Sequence, residues 1–139
     1  MPRLVLDTNV VAAGLLWPGA SAQLIKAAIE SRVTLAISAT LFAELTKILQ
    51  RAKFATAISK QGVSIETLLD RYFTLCDLVV PAGINPTVHA DPDDDHVLAC
   101  ALAAQADLIV SNDRHLLNLA RFHGVTIVNP ATAIKIVSG

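Results

Sequence analysis

The beginning of the chain combines a short apolar run with a carboxylate directly behind it. Residues 4–6 are aliphatic (Leu-Val-Leu), and Asp7, Thr8 and Asn9 follow at once. A continuous apolar run of this kind is typical of a strand buried on both faces of a parallel sheet. Burying a carboxylate is costly unless a partner neutralises it, and the ligand crevice of open α/β sheets lies beyond the carboxyl ends of the strands. Asp7 therefore stands where a catalytic or metal-binding acid would stand, although it could also simply cap a turn with the help of Asn9.

The composition limits the class of protein. With 139 residues, the chain is expected to form one domain (residues 1–139) with a sizeable core. Hydrophobic residues make up 53% of the chain and charged residues 17%, which favours a sheet covered on both faces and argues against disorder. The net charge of −1 gives no overall basic surface. Contact with nucleic acid would therefore need a local patch or bound cations.

Two further features bear on the cellular compartment. The longest uncharged stretch, residues 8–25, contains polar residues, a proline and a glycine, and does not predict a membrane span. Asp7 falls too early for the apolar core of a signal peptide, so we expect a cytoplasmic protein. Cys76 and Cys100 each lie in an apolar helical pattern, and we expect reduced core thiols rather than a disulfide or a metal pair.

Strand-like and helix-like segments alternate along the chain. The apolar patterns predict strands at residues 4–6, 33–38, 78–80, 108–111 and 125–128. They predict helices at residues 22–31, 40–51, 54–61, 65–76, 97–104, 114–122 and 130–137. The residues between the first strand and the first helix, which include Gly14 and the Pro18-Gly19 pair, are expected to form a loop. This alternation predicts an α/β fold with a parallel sheet of about five strands and helices on both faces.

Four carboxylates fall near strand ends or helix beginnings in this scheme. Asp7 follows the first strand and Asp113 the fourth, while Asp95 enters one helix N-terminus and Glu44 lies one turn into another helix. Parallel strands joined by crossover helices bring these positions to one edge of the sheet. Carboxylates that close repel each other unless they are protonated or bridged by a cation, and oxygen ligands favour Mg²⁺ or Mn²⁺. Each acid alone could be a helix cap or solvated surface, but their shared edge favours a metal site.

The acidic run at residues 91–95 offers several candidate ligands. Asp91 precedes a proline, which favours an extended backbone outside the helix. Asp93 is expected to cap the helix and to use its carboxylate on backbone N–H groups. These two assignments leave Asp94 and Asp95 as candidates.

The large residues of the following helix favour Asp95 over Asp94. Leu98 and Leu102 are expected to face the sheet, and they follow Asp95 by three and seven positions, so Asp95 would lie on the inward side. Asp94 would be rotated by about 100° from it, toward solvent, at helical periodicity. The sequence therefore predicts Asp95 as the ligand.

Four segments, read in order, resemble the PIN domain family. They are Leu-Asp-Thr-Asn-Val at residues 6–10, Glu44 within Ala-Glu-Leu, Asp-Pro-Asp-Asp-Asp-His-Val-Leu-Ala at residues 91–99, and Ser-Asn-Asp at residues 111–113. The resemblance extends over essentially the whole chain and is strongest to the branch of VapC-like toxins of type II toxin–antitoxin systems. It implies a three-layer α/β/α fold and an Mg²⁺- or Mn²⁺-dependent endoribonuclease.

The resemblance also implies roles for individual residues. It places the acidic quartet, as catalytic residues and metal ligands, on Asp7, Glu44, Asp95 and Asp113. It assigns Asn9 and Ser111 to accessory polar positions that orient the first aspartate and the metal-bound waters. Two departures from the branch, His96 in place of a frequent lysine and the absence of a basic net charge, bear on substrate affinity.

The implied reaction is hydrolysis of an RNA phosphodiester bond, and the implied partner is a cognate antitoxin protein that blocks the site. Other classes of protein also place acids at strand ends. A phosphatase of the haloacid-dehalogenase type would have an aspartate at the position of Asn9, and a receiver domain would need a lysine near the site, for which no good candidate exists. A catalytically silent PIN-fold binding module is the third alternative, and the intact quartet argues against it.

Two surface features are expected to serve binding. Lys47, Arg51 and Lys53 form a candidate basic rim for the RNA backbone, since Lys47 and Arg51 share a helix face; an ordinary solvated helix face is the alternative. The segment at residues 54–73 carries more apolar side chains than one small domain is expected to cover, namely Ala55, Ile58, Val63, Leu69 and Phe73. Large apolar patches usually mark interfaces, so the segment predicts a homodimer, as does the family resemblance.

Overall fold

Six β-strands form one sheet in the computed structural model, which describes residues 1–88 and 91–138. In chain order they are β1 (Arg3–Leu6), β2 (Thr34–Ile37), β3 (Cys76–Leu78), β4 (Leu108–Val110), β5 (Arg121–Phe122) and β6 (Val125–Val128). Their order across the sheet is β3-β2-β1-β4-β6-β5. All neighbouring strands are parallel except β5, which pairs antiparallel with β6. The central strand is fully covered, because the side chains at residues 4–6 are at most 3% exposed.

Eight α-helices connect and cover these strands in the described part of the chain. They are α1 (Thr8–Leu16), α2 (Ala20–Ile29), α3 (Ala39–Leu49), α4 (Ala55–Lys60), α5 (Ile65–Leu75), α6 (Asp94–Ala104), α7 (Arg114–Leu119) and α8 (Pro130–Ser138), with a 3-10 turn at Ala52–Phe54 before α4. The structure confirms the predicted three-layer α/β/α fold with a mainly parallel sheet. Its sixth strand, β5, has only two residues and was not predicted.

The prediction of a loop after the first strand is wrong, because residues 8–16 form helix α1. The sequence pattern predicts a loop at Gly14, but this glycine lies inside α1, where α2 crosses closely. A Cβ atom at Gly14 would lie 2.8 Å from Ile25 Cδ1 and 2.9 Å from the Ser21 carbonyl oxygen. The glycine is therefore explained by helix packing and not by a turn.

Smaller boundary differences have local causes. Helix α2 begins at Ala20, two residues before the predicted start at residue 22. Helix α3 is capped by Ser38, whose Oγ accepts a hydrogen bond from the Leu41 N–H. Strand β3 begins at Cys76, two residues before the predicted position, so this cysteine belongs to the sheet edge and not to a helix. Cys76 and Cys100 are both free thiols.

The sheet order creates a crevice between β1 and β4. The chain passes from β1 to β2 on one side, and β4 pairs with β1 on the other side. Ligands of open α/β sheets bind at the point where the strand order reverses in this way. The pairing of β1 with β4 extends to the first residue of the site, since the Asp7 N–H donates to the Val110 carbonyl at 2.9 Å.

Within the described residues, no helix on its own has the length and apolar character needed to cross a membrane. Only the adjoining pair α1 and α2, bent by 86°, meets that test of length and composition together.

We predict that Gly14→Ala destabilises the protein by about 1–3 kcal/mol, because the added methyl group is forced against the α2 backbone. Urea unfolding measures the change. Gly83→Ala is the matched control, since a Cβ atom there meets nothing within 4 Å, and it should leave stability unchanged or slightly increased. Equal effects of the two substitutions would contradict the close packing of α1 on α2.

Candidate active site

The hydroxyl group of Ser111 joins the ends of the two central strands. Its Oγ donates a hydrogen bond to Asp7 Oδ2 at 2.7 Å and accepts one from the Asp113 N–H at 2.9 Å. Ser111 is completely buried. The other oxygen of Asp7 accepts a hydrogen bond from the Thr8 N–H at 2.8 Å, so Asp7 also caps α1. Both of its oxygens are therefore fixed in position next to β4.

Three carboxylates meet where β4 ends and α6 begins. One oxygen each of Asp91, Asp94 and Asp113 lies within 4.8 Å of the others. Asp113 caps α7, because its Oδ1 accepts hydrogen bonds from the N–H groups of His115 and Leu116 at 2.8 and 3.3 Å. Asp91 forms a local turn in which its Oδ1 accepts from the Asp93 N–H at 3.2 Å. Local backbone contacts thus orient the acids at the rim of the cluster.

Asp94 is the innermost acid of the cluster. It is only 5% exposed, and its Oδ2 has no hydrogen-bond partner among residues 1–88 and 91–138. Burial, together with the Asp113 carboxylate, raises the pKa of Asp94 from 3.8 to about 8. An uncompensated buried carboxylate is expected to hold a proton or a cation.

Two other acids of the cleft also have raised pKa values, although the rise is smaller than that of Asp94. Burial raises the pKa of Asp7, and the hydrogen bond from Ser111 opposes this rise. Burial also raises the pKa of Glu44, against the lowering effect of His96. The cleft therefore favours protonated acids until a positive charge enters it.

The predicted orientation of Asp94 and Asp95 is wrong. The inward face of α6 is formed by Asp94, Val97, Leu98 and Ala101, which are all nearly inaccessible to solvent. These residues are spaced by three, four and seven positions, as expected for one helix face. The prediction took the large side chain of Leu102 as a marker of the inward face, but Leu102 is only partly buried. Because α6 consists almost entirely of small apolar residues, the size of a side chain does not show which face of the helix is buried.

Asp95 points away from the cluster and holds a loop. Its two oxygens accept hydrogen bonds from the N–H groups of Thr87 and Val88 at 3.0 and 2.8 Å. The loop that leads from β3 to α6 is thereby attached to the first turn of α6. Asp93, the expected helix cap, makes no capping hydrogen bond with its side chain.

Glu44 faces the cluster from α3 and pairs with a histidine. His96 Nδ1 lies 2.5 Å from Glu44 Oε1, and Asp93 adds a third potential ligand atom within 4.8 Å of both. Glu44 lines the same cleft as Asp7, Asp94 and Asp113, which has a volume of about 410 Å³. Asn9 also lines this cleft, but it is exposed and does not hydrogen-bond to Asp7 among the described residues.

The three cations of the predicted basic rim do not lie together. Lys47 and Arg51 line the acidic cleft, whereas Lys53 lines a separate cavity next to Trp17. Its ammonium group lies 5.1 Å from the centre of the Phe54 ring. The rim as predicted therefore divides into two surfaces.

Sequence reasoning missed Asp91 and His96 as members of the cleft. The proline after Asp91 predicts a backbone outside the helix, and this is correct. Its position one turn before Asp94 nevertheless brings both carboxylates to the same side. In the sequence, the Asp-Pro-x-Asp spacing of residues 91–94 is the pattern that indicates this shared side.

Comparison with known proteins decides the family. A family model described as the PIN domain matches residues 3–115. The chain belongs to the PIN domain family. This range includes β1, α3, the acidic run and β4, and therefore all the elements that form the cleft. No curated protein matches the sequence.

Three solved structures share this PIN fold at low sequence identity. PAE2754 from Pyrobaculum aerophilum is 17% identical with a TM-score of 0.61, and the alignment covers 99% of this chain and 90% of that one. VapBC2 from Rickettsia felis, bound to a DNA fragment from their promoter, is 16% identical (TM-score 0.55; 91% and 98% covered). FitAcB from Neisseria gonorrhoeae is 19% identical (TM-score 0.52; 92% and 98% covered).

The raised pKa of Asp94 predicts a pH-dependent stability of the metal-free PIN domain. The unfolded chain releases this proton near pH 3.8, whereas the folded protein keeps it until about pH 8. The free energy of unfolding should therefore fall between these values as the pH rises. Asp94→Asn removes the titrating group, so in EDTA the variant should gain stability relative to the wild type from about pH 5 to 8. Urea unfolding measures this difference.

Asp70→Asn, on the exposed side of α5, is the matched control. Its stability relative to the wild type should not change over the same pH range. If both variants follow the same pH dependence, burial of Asp94 is not its cause.

Proposed function

We propose that this PIN domain is a metal-dependent endoribonuclease that hydrolyses RNA phosphodiester bonds. The observation that carries this proposal is the convergence of Asp91, Asp94 and Asp113, with one oxygen of each within 4.8 Å of the others, while the buried Asp94 Oδ2 has no hydrogen-bond partner in the described chain. The cluster lies in the crevice between β1 and β4, where α/β proteins bind their ligands.

The residues of the cluster fit a hard divalent cation. All donor atoms are carboxylate oxygens, which suit Mg²⁺ or Mn²⁺ and do not favour zinc or copper. We assign Asp94 and Asp113 as ligands, with Asp91 and Asp7 beside them, and Asp94 thereby replaces Asp95 in the quartet predicted from the sequence. When bound, the cation would lower the pKa of a coordinated water and neutralise charge on the phosphate.

The other residues of the cleft serve to orient and bind. Ser111 holds the Asp7 carboxylate by its short hydrogen bond. Glu44, kept in place by His96, stands opposite the cluster and can accept a proton from an attacking water. Lys47 and Arg51 bring positive charge to the same cleft and are suited to bind phosphates next to the scissile bond.

Membership of a toxin–antitoxin pair is part of the proposal. The sequence segments resemble the VapC-like branch, and VapBC2 and FitAcB share the fold. We infer that a cognate antitoxin protein covers the acidic cleft and that the enzyme acts in the cytoplasm, where RNA is available.

The surface proposed for the homodimer overlaps the predicted segment 54–73 only in part. Leu69 is only 6% exposed and belongs to the protein's own core, so it is not free for an interface. Phe73 is 39% exposed although it packs against Phe42 with ring centres 5.0 Å apart. Ile29, 64% exposed, lies beside the same helix across a shallow cavity. We propose that α5 and Ile29 form the interface.

Cleavage of a mixed RNA pool tests the proposed reaction. The wild type should cleave with about millimolar Mg²⁺ or Mn²⁺ and not in EDTA. Asp94→Asn should lower the rate by more than the roughly 10- to 100-fold that loss of an outer-shell partner costs. Asp95→Asn is the matched control, with the same chemical change one position away, and it should retain most of the activity because Asp95 contacts only a loop.

A folded Asp95→Asn variant that is inactive, beside an active Asp94→Asn variant, would show that the ligand assignment is wrong. A wild type that binds RNA but does not cleave it with either ion would indicate a silent binding module. The same strands made as DNA test whether the substrate must carry a 2′-hydroxyl group.

Light scattering tests the dimer. The wild type should have twice the mass of the chain at micromolar concentration, and a variant with Ile29→Glu and Phe73→Glu should be monomeric because charges replace the apolar contact. Ile136→Glu on α8, at a similarly exposed apolar residue, should remain dimeric. A monomeric wild type refutes the dimer.

A further inference from the structure

The only tryptophan of the chain is partly exposed at the end of α1. Trp17 keeps 45% of its surface accessible. Its ring is supported on one side by the buried ring of Phe54, with ring centres 5.7 Å apart and planes inclined at 45°. Gln61 also ties α4 to this corner, because its Nε2 donates to the Leu16 carbonyl at 3.3 Å. The indole ring is thus held in place while nearly half of it faces solvent.

Two lysines stand beside this ring. Lys53 and Lys60 line a cavity of about 250 Å³ together with Trp17, and both are exposed. Lys53 is positioned further by its contact with the Phe54 ring. None of the described residues lining this cavity is acidic, so the positive charge there is not compensated within it.

The same tryptophan also lines a second cavity. This cavity has a volume of about 370 Å³, and its lining includes Asn112, the residue directly before Asp113. Helix α1 runs from the cleft at Thr8 to Trp17, a length of about 13 Å at 1.5 Å per residue. Arg51, which lines the cleft, precedes Lys53 by two residues. Arg51 in the cleft and Lys53 beside the tryptophan are thus close in the chain, although they line separate surfaces.

We propose that Trp17, Lys53 and Lys60 form a stacking platform that binds an unpaired nucleotide of the RNA, at a distance from the cleaved bond. An exposed aromatic ring beside cationic side chains is the combination by which proteins hold single strands, because every base has a face that can stack and every nucleotide carries a phosphate. A base paired inside a helix does not offer its face. The platform therefore selects single-stranded RNA.

This inference rests on the proposed function for its ligand but makes a separate statement about binding. It needs no cation in the acidic cluster, and the three residues lie outside the proposed metal ligands. Binding can therefore be measured in EDTA, without cleavage, on the complete chain.

Fluorescence of Trp17 reports binding directly, since no other tryptophan contributes. A 12-nucleotide oligouridine should quench the emission of the wild type, while the same strand paired with oligoadenosine should not.

Trp17→Leu should weaken binding of the labelled single strand by about 5- to 150-fold, as measured by fluorescence anisotropy. A variant with Lys53→Gln and Lys60→Gln should reduce the slope of log K against log salt by about 1.4.

Lys26→Gln with Lys135→Gln is the matched control, because both lysines are exposed and neither borders Trp17. It should leave affinity and quenching unchanged. If Trp17→Leu does not fold, the quenching of the wild type and the lysine variants decide the question.

The proposal is overturned if the single strand binds without quenching, or if the two lysine pairs have equal effects. Equal quenching by duplex and single strand also overturns it. If the wild type binds the single strand in EDTA with quenching but cleaves no RNA, the proposed reaction fails and the platform stands. If the wild type cleaves RNA but shows no quenching, the platform fails and the proposed reaction stands.

Discussion

The acidic cleft depends on the hydrogen bonds that Ser111 makes at the end of β4. Its single hydroxyl group donates to Asp7 and accepts from the backbone of Asp113, and so fixes the distance between the ends of the two central strands. The two acids come together because β1 and β4 are adjacent parallel strands at the point where the strand order reverses. The buried position of Ser111 protects both bonds from competition with water.

This arrangement holds negative charge in a place where the protein alone does not neutralise it. Asp7, Asp94 and Glu44 all have raised pKa values, with burial as the main cause. Backbone N–H groups stabilise the outer acids, but they leave the innermost oxygen of Asp94 without a partner in the described residues. The fold therefore sets the positions of the acids, and an entering cation would supply the charge that makes the set stable.

The sequence predicted the fold and much of the cleft because these depend on patterns that are local. Apolar runs followed by acids predicted β1 and β4, and so placed Asp7 and Asp113 at the same edge of the sheet; that the two strands are neighbours is seen only in the structure. Helix α1 was missed because Gly14 resembles a loop residue unless the close crossing of α2 is known. The predicted orientation of Asp94 and Asp95 is wrong because the residues of α6 are nearly all apolar, so that periodicity carries little information about the inward face. Both errors concern contacts between elements.

The acidic run shows how helical geometry divides neighbouring residues between separate tasks. Asp94 and Asp95 are chemically identical, yet they differ by about 100° around α6, so one enters the cluster and the other holds the loop at Thr87 and Val88. Both carboxylates belong to the first turn of the same helix. A displacement of that turn would therefore change the geometry of the acidic cluster and the position of the loop together. The acidic cluster and this loop are in this sense mechanically coupled.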